Sequence, residues 1–323
     1  MAAFTPAKYQ DRRFARATAS FTTTGMDNFH HQPAMSLHVP VMLDEVLAAL
    51  EPRPGMTVVD GTLGGGGHTR PLAERMAPGG CVLAFDRDPA ALAAAERNLR
   101  GLPIKLVESD FADLAQVLTQ LGLPAVDGVL LDLGLSSDQL ADSRRGFSFD
   151  SEGPLDLRFN PDEGEPAREL LARLTETQLA DLIYRYGEER HSRRIARRIV
   201  ERRATAPIEA ASELAGLVRS CVPRSAGHSI DPATRTFQAL RIAVNHELES
   251  LERVLACLPD CLSPGGRAAI ISFHSLEDRL VKRAFRDDAR WEVLTRKPLR
   301  PSAEEVARNP RSRSAKLRVA ARR

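Results

Sequence analysis

The 323-residue sequence predicts an α/β fold, a Rossmann-like parallel sheet interrupted by an inserted, mostly helical domain. Three observations predict it. Apolar runs ending in polar or glycine clusters alternate with amphipathic segments up to Asp132, the rhythm of a parallel βαβ sheet. That alternation stops after Ser137 and gives way to helical patterns. A strand over Ala268–Phe273, entered through the turn Ser263-Pro-Gly-Gly266, then resumes the sheet.

Residues 1–35 show no sustained period and read as a disordered extension, or as residues upstream of true initiation at Met35. A short helix over Val41–Leu50 leads in. The strand at Val58-Val59 then runs into Asp60-Gly-Thr-Leu-Gly-Gly-Gly-Gly-His68 and a helix. Consecutive glycines reach positive φ at little steric cost and keep no side chain between ligand and backbone. At the carboxyl end of the first strand of an α/β sheet, such a turn is where nucleotide-like cofactors bind. A flexible linker fits poorly, because both flanking segments have ordered patterns.

The second strand, Cys81–Asp86, ends in an acidic residue at the spacing of a ribose-binding carboxylate. The register Gly64-x-Gly66-x-x-Thr69 lacks the third glycine of the dinucleotide fingerprint. Those two features leave a nicotinamide cofactor and S-adenosylmethionine both open. The next two strands favour the methyl donor. Ile104–Glu108 is followed by Ser109-Asp110-Phe111, and Val129–Leu131 by Asp132-Leu-Gly-Leu-Ser-Ser137. Adenosine laid along that edge finds Asp86 for its ribose and Phe111 for its adenine face, with Asp132 facing the sulfonium.

Beyond Ser137, a Gly/Pro/Asp-rich loop (Arg144–Glu165) precedes helical patterns at Ala167–Leu174, Thr177–Tyr186, an arginine-rich stretch and Ser212–Val222. Pro223–Pro232 reads as a linker. One long amphipathic helix is expected over Thr234–Leu258, its buried seam made by Leu240, Val244, Leu248, Leu251 and Leu255. The expected organisation is a sheet domain over 36–140 and 233–323, the latter with a basic C-terminal tail, and a substrate-recognition insertion over 141–232. An insertion there overhangs the cofactor edge, where a substrate-gripping lid is useful.

The formal charge of +2 hides an uneven distribution. Val293–Arg323 holds ten Lys/Arg against two Glu, and Tyr184–Arg203 eight Arg against three Glu. In the second cluster Arg190, Arg193, Arg194, Arg197 and Arg198 form one helical stripe. A solvated face is the ordinary meaning of such a stripe. Two basic concentrations in an otherwise acidic chain point instead to phosphate-backbone binding, which carries affinity rather than sequence recognition. No run approaches 18 apolar residues, so no membrane partner is expected. Cys257-x-x-x-Cys261 has no second Cys/His pair nearby, so no metal is assigned and reduced thiols in a cytoplasmic protein are expected.

Several motifs occur in order: Asp60-Gly-Thr-Leu-Gly-Gly-Gly-Gly-His68, Asp86-Arg-Asp-Pro89, Leu131-Asp-Leu-Gly-Leu-Ser-Ser137, Arg145-Gly-Phe-Ser-Phe149 and Gly153-Pro-Leu-Asp-Leu-Arg158. Tyr186-Gly-Glu-Glu189, Thr236-Phe-Gln-Ala-Leu-Arg-Ile-Ala-Val-Asn245, Gly265-Gly-Arg-Ala-Ala-Ile-Ile-Ser-Phe-His-Ser275 and Asn309-Pro-Arg-Ser-Arg-Ser-Ala-Lys-Leu-Arg318 complete the series. From about Val39 onward the chain resembles the bacterial family of 16S ribosomal RNA cytosine-N4 methyltransferases. The resemblance implies a class I methyltransferase sheet and S-adenosyl-L-methionine as cofactor. It also implies 16S ribosomal RNA within the small ribosomal subunit as partner, rather than DNA. It carries the cofactor site onto Gly66, Gly67, His68, Asp86, Phe111, Asp132 and Gln139; the residues themselves point independently to all of these except His68 and Gln139.

Methyl transfer from a sulfonium needs near-attack geometry more than a metal or covalent nucleophile, and positioning supplies about 7–11 kcal/mol of such a barrier. A cytosine amine has its lone pair delocalised into the ring, so an acceptor for its proton helps. Asp132 is the best-placed carboxylate, with Ser136 and Ser137 to orient it or the base. No D/N/S-P-P-aromatic motif of amino-methylating DNA enzymes is present at that spot. Three readings stay open. His68 either caps the helix that follows or touches ligand. His274 either faces the base or packs in a helix-start cap with Ser275 and Asp278. The two aromatics of Arg145-Gly-Phe-Ser-Phe149 either stack an unpaired base or anchor the lid. Against the RNA methyltransferase stand an RNA-binding assembly factor with little catalysis and a methyltransferase of another acceptor. The intact Asp132 loop opposes the first, and the basic clusters oppose the second.

Overall fold

The computed structural model describes residues 40–150, 152–222 and 231–323. The expectations for residues 1–35 and for most of the Pro223–Pro232 linker lie outside the described residues. The chain enters through α1 (Leu43–Leu50) and then alternates as β1 (Thr57–Asp60), α2 (Thr69–Met76), β2 (Cys81–Asp86), α3 (Pro89–Asn98), β3 (Ile104–Glu108), α4 (Leu114–Gln120) and β4 (Val126–Asp132). Val58, Val59, Val82–Phe85 and Val129–Leu131 are all buried, as continuous apolar runs must be when helices cover both faces of a parallel sheet. Next come α5 (Ser137–Ala141), α6 (Ala167–Arg173), α7 (Glu176–Gly187), α8 (Ser192–Arg203), α9 (Ala211–Cys221), α10 (Thr234–Asn245) and α11 (Glu247–Cys261). The sheet resumes with β5 (Leu262–Ser272), α12 (Ser275–Asp287), β6 (Trp291–Val293), α13 (Ala303–Arg308) and β7 (Lys316–Arg322).

The strand order is β3-β2-β1-β4-β5-β7-β6. Strands β1 to β5 pair in parallel, and β7 runs antiparallel between β5 and β6. The order reverses between β1 and β4, and at that switch point the crevice beyond the strand ends is open to a ligand. One apolar core lies under α1, α2 and α3, and a second under α4, α11 and α12, on the other face. A third gathers residues from Phe147 to Leu240, including α6 to α10.

Two expectations are corrected here. The helix expected over Thr234–Leu258 is two helices broken at His246, whose φ of 54° is left-handed. Phe237 and Leu240 of α10 pack in the helical core, whereas Leu251 and Leu255 of α11 pack against the sheet, so no single seam runs through both. Asn245, the last residue of α10, ties that end of the helix to the preceding loop: Oδ1 accepts from the Phe159 amide (2.7 Å), and Nδ2 donates to the Leu157 carbonyl (2.7 Å).

The basic C-terminus is no tail. Leu317, Val319, Ala320 and Ala321 are buried in β7. Lys316 and Arg318 are held by Asp278 at 3.1 and 2.7 Å, so part of the counted charge is internal.

The Arg145 loop joins the two regions. The buried Arg145 guanidinium contacts the Asp88 carboxylate at 2.9 Å and donates to the Arg158 and Phe159 carbonyls. Phe147 sits in the helical core and Phe149 meets Phe237 edge-on at 4.9 Å. The anchor reading of this loop is the one realised.

Candidate active site

Asp60, 1% exposed, organises the glycine turn at the end of β1. Its Oδ1 accepts from the Thr62 amide (3.1 Å) and its Oδ2 from the Thr69 hydroxyl (2.6 Å), so the carboxylate spans the turn from one side to the other. Thr62 Oγ1 in turn accepts the Asp132 amide (2.7 Å), which ties β1 to the end of β4. Gly64 takes a φ of 48° and donates its N–H to Asp86 Oδ2 (2.8 Å). A Cβ on Gly61 would run into Leu131 and Phe111, and one on Gly134 would lie 2.7 Å from the Phe273 ring. These glycines keep the turn and the Asp132 loop close-packed.

The resulting cleft runs along the sheet edge. Gly64, Gly67, His68, Asp86, Phe111 and Asp132 line it, with Ser136 and Gln139 closing one side. Seven of the nine expected site residues therefore share one cavity, and Gly66 and Ser137 stand apart. The φ of 77° at Gly66 turns its Cα toward Leu99, where a Cβ would come within 2.9 Å of that side chain. Its requirement is steric, on the core side of the loop. Ser136 and Gln139 are bound to each other in a capping box at the start of α5 (3.1 and 3.0 Å), so Ser136 Oγ is engaged in holding that helix. Ser137 lies outside the cleft and accepts a hydrogen bond from Arg311 (2.8 Å).

His68 occupies the position before α2 but makes no side-chain cap bond. Its Nε2 meets the Val41 carbonyl at 2.9 Å, and its Nδ1 lies 3.8 Å from Asp132 Oδ2. Asp132 Oδ1 is buried and has no hydrogen-bond partner among the described residues, a costly state for a carboxylate oxygen. Burial pushes the Asp132 carboxyl up to about 6; His68 and the Gly134 amide pull the other way, while Asp60 and Glu277 add to the rise. Burial likewise raises Asp86 to about 6, against the lowering by the Asp88 and Gly64 amides. Carboxyls shifted this way in a cleft mark a functional site.

His274 caps α12 together with Glu277 and lies 2.9 Å from its carboxylate. Burial opposes the charge on Glu277, yet His274 and then Arg241 hold its carboxyl below the usual range. Glu247 is gripped by Arg241 through two 2.7 Å bonds. Glu247, His274 and Glu277 thus stand close enough to ligate a metal, but each is already matched within the protein. The cleft also uses Asp110, whose Oδ2 accepts the Ser250 hydroxyl (2.7 Å) and fixes α11 beside Phe111. Asp60, Ser250, Glu247 and Glu277 were not singled out as site residues from sequence. Asp60 was within reach, since it opens the glycine motif; the other three come from distant helices.

A second, adjoining cavity is lined by Val41, Leu140, Arg241, Phe273, Asn309 and Arg311. Asp132, Gly134 and Leu135 line both cavities. Asp132 thus stands at their junction.

Such a sheet, with a side-chain-free cradle, a ribose-ready acid and an orphaned buried carboxylate oxygen, defines an S-adenosylmethionine-dependent methyltransferase, and these residues fit that cofactor. The chain belongs to the MraW methylase family, which it matches over residues 35–323. It is 53% identical over 296 residues to the ribosomal RNA small subunit methyltransferase H of Rhodopirellula baltica, covering 88% of this chain and 91% of that one. A protein of the same name from Pelobacter propionicus is 51% identical over 304 residues, covering 87% and 97%.

Proposed function

We propose that the protein methylates the exocyclic N4 amine of a cytosine in 16S ribosomal RNA, within the small ribosomal subunit. The observation that carries this reading is the meeting of two cavities at Asp132. When bound, S-adenosylmethionine supplies a methyl group already activated on a sulfonium. The chain has to hold an amine in line with it and take the amine's proton.

The residues divide accordingly. Gly67 and the Gly64 turn would admit the cofactor to the backbone, Asp86 would accept hydrogen bonds from its ribose hydroxyls, and Phe111 would cover its adenine. His68, Asp132 and Gln139 would hold its methionine end. In the second cavity Phe273 offers an aromatic face to a flat base and the exposed Arg311 offers charge to its phosphates, whereas Arg241 is already paired with Glu247. Asp132 Oδ1, buried and without a hydrogen-bond partner among the described residues, would accept the proton that leaves the amine as the C–N bond forms and the methyl–sulfur bond breaks. Ser137 orients the second cavity through Arg311, and Ser136 shapes the first by capping α5.

RNA as acceptor is supported by the names of the relatives and by exposed arginines on α8 and at Arg190, which lies in the turn before that helix and not on its stripe. Arg190, Arg193, Arg194, Arg197 and Arg198 all face solvent. Arg197 and Arg198 approach Glu176 and Glu201, leaving Arg190, Arg193 and Arg194 the freer to meet phosphate. The choice of N4 and of the 16S molecule rests on the sequence resemblance.

The test is transfer of labelled methyl from S-adenosylmethionine to small ribosomal subunits lacking the modification, followed by nucleoside analysis. N4-methylcytidine is the expected product. Label in another nucleoside, or no transfer despite tight cofactor binding, would contradict the reading.

A further inference from the structure

We infer that the corner between α7 and α8 is a second RNA contact, where Tyr184 stacks on an unpaired nucleotide flanking the target base and the arginines around it hold that strand's phosphates. The inference rests on RNA as the acceptor and adds where the strand runs once it leaves the second cavity.

Tyr184 does not face the core of the helical region. Leu179, Ala180, Ile183 and Gly187 are the residues that α7 buries. Tyr184 is 61% exposed, the most exposed large hydrophobic side chain among the described residues. Its neighbours are cations. Arg185, Arg190, Arg193 and Arg194 are all exposed, with no ion pair or side-chain hydrogen bond among the described residues. Further along α8, Arg197 and Arg198 meet Glu176 and Glu201 instead. The 3.6 Å contact of Arg197 with Glu176 shows α8 folded back along α7. From that contact toward the corner, about two turns of each arm lead to Tyr184 and to Arg190, so the two lie at one level.

The acids of the corner are spent inward. Glu188 accepts from the Ser275 hydroxyl and from Arg279 (3.0 Å), and the buried Glu189 accepts the His191 amide (2.8 Å). Asp181, one turn earlier on α7, is exposed. The Glu188 contacts also place the corner beside the acceptor site. Ser275 follows Phe273 of the second cavity by two residues, and the intervening His274 is extended (φ −134°, ψ 169°). That separation is about 7 Å of chain. Gln238 fixes the corner by donating to the Tyr186 carbonyl (2.8 Å). A strand leaving the second cavity on this side meets Glu188 and then Tyr184, one helical turn back along α7.

An exposed ring among unpaired guanidinium groups fits a nucleotide, since every base offers a flat face and every phosphate a charge. A second copy of this chain would set the same four arginines against one another. A duplex would satisfy the arginines but hide its base faces, so the flank held here is single-stranded.

The experiment compares full-length wild type with Tyr184→Ala and Tyr184→Phe, both at a site outside the buried face of α7. The probes are small ribosomal subunits lacking the modification, a short single-stranded RNA containing cytosine, and the same RNA annealed to its complement. Tyr184→Ala is expected to weaken binding to subunits and single strand by about 5- to 150-fold, with the salt slope unchanged because no charge is lost. Tyr184→Phe, which keeps the ring, should bind within about twofold of wild type. The duplex should be bound equally by all three. In methyl transfer, KM for subunits rises by the same factor in Tyr184→Ala while kcat stays.

Full affinity of Tyr184→Ala for the subunits overturns the inference, as does a loss that Tyr184→Phe shares or one equally large on the duplex. A loss seen on subunits alone is decided by ultraviolet cross-linking of the wild-type complex. A nucleotide on the peptide carrying Tyr184 supports the inference, and a ribosomal protein there overturns it. Wild-type transfer in which Tyr184 has no part fails this inference alone. RNA binding that depends on Tyr184, with label in another nucleoside, fails the proposed function alone.

Discussion

The two cavities that meet at Asp132 are built in opposite ways. The cofactor cleft is made mainly by consecutive strand ends of one parallel sheet, its glycine turn braced locally by Asp60 with Thr62 and Thr69, while Ser250 on Asp110 closes it from a distant helix. The second cavity is assembled from α1's approach, α10, the end of β5 and the segment before β7, and one of its closing contacts joins Arg311 to Ser137 across 174 residues. The first is fixed mainly by the ends of the sheet, a geometry that any occupant must accept. The second depends on elements arriving from three parts of the chain, and its exposed arginine suits a large polyanion. A donor site preformed by the sheet and an acceptor site gated by the rest of the chain is a division of labour that mutations can separate.

The largest expected effect breaks both cavities at once. Truncation after Lys297 removes β7, whose neighbours β5 and β6 then lose their shared partner. The expected outcome is loss of cooperative unfolding by circular dichroism, rather than a folded protein with weaker RNA affinity. Next, Asp132→Asn keeps shape and removes the proton acceptor. Turnover falls by about 10²–10⁴-fold while affinity for S-adenosylhomocysteine changes little, as single-turnover and calorimetric measurements can show. Arg145→Ala leaves Asp88 buried without its partner and frees the loop that links helical region to sheet. Losing one member of a buried pair costs about 3–5 kcal/mol, read as a lower denaturation midpoint.

A smaller effect separates the two acids. Asp86 ionises near 6, so its carboxylate is present above that pH and lost as pH falls through it. Affinity for S-adenosylhomocysteine, whose sulfur is uncharged, is expected to weaken below pH 6 by up to about tenfold per unit. Asp86→Asn should bind more weakly at pH 8 and lose that dependence. The smallest effect lies on the helical region: Arg193→Ala with Arg194→Ala should weaken RNA binding and flatten its salt dependence by about 0.7–0.9 in slope per lost phosphate contact. Cofactor affinity should not move.

The sheet and cofactor cleft were largely legible in the sequence because their signals are local. Each strand is an uninterrupted apolar run, and Asp86, Phe111 and Asp132 each follow a strand directly. Gly66 shows the limit of that logic: a glycine motif says that space is needed, but not whether the space faces ligand or, as here, Leu99. The break at His246 was hidden because Leu240 and Leu251 keep helical spacing while packing into different cores; Asn245's bonds to Leu157 and Phe159 tie that end of the helix to the preceding loop. β7 was hidden too, since Lys316, Arg318 and Arg322 give a central strand the charge of a tail. Their partners, Asp278 and the Leu262 carbonyl, are tens of residues away.

The most direct test of the two-cavity account is a crystal structure of the protein with S-adenosylhomocysteine and cytidine 5′-monophosphate. The account predicts the sulfur in the cleft beside Gly67, the base against Phe273, and its exocyclic amine within hydrogen-bond reach of Asp132 Oδ1. A base seated away from Phe273, or bound with its amine turned from Asp132, would contradict it.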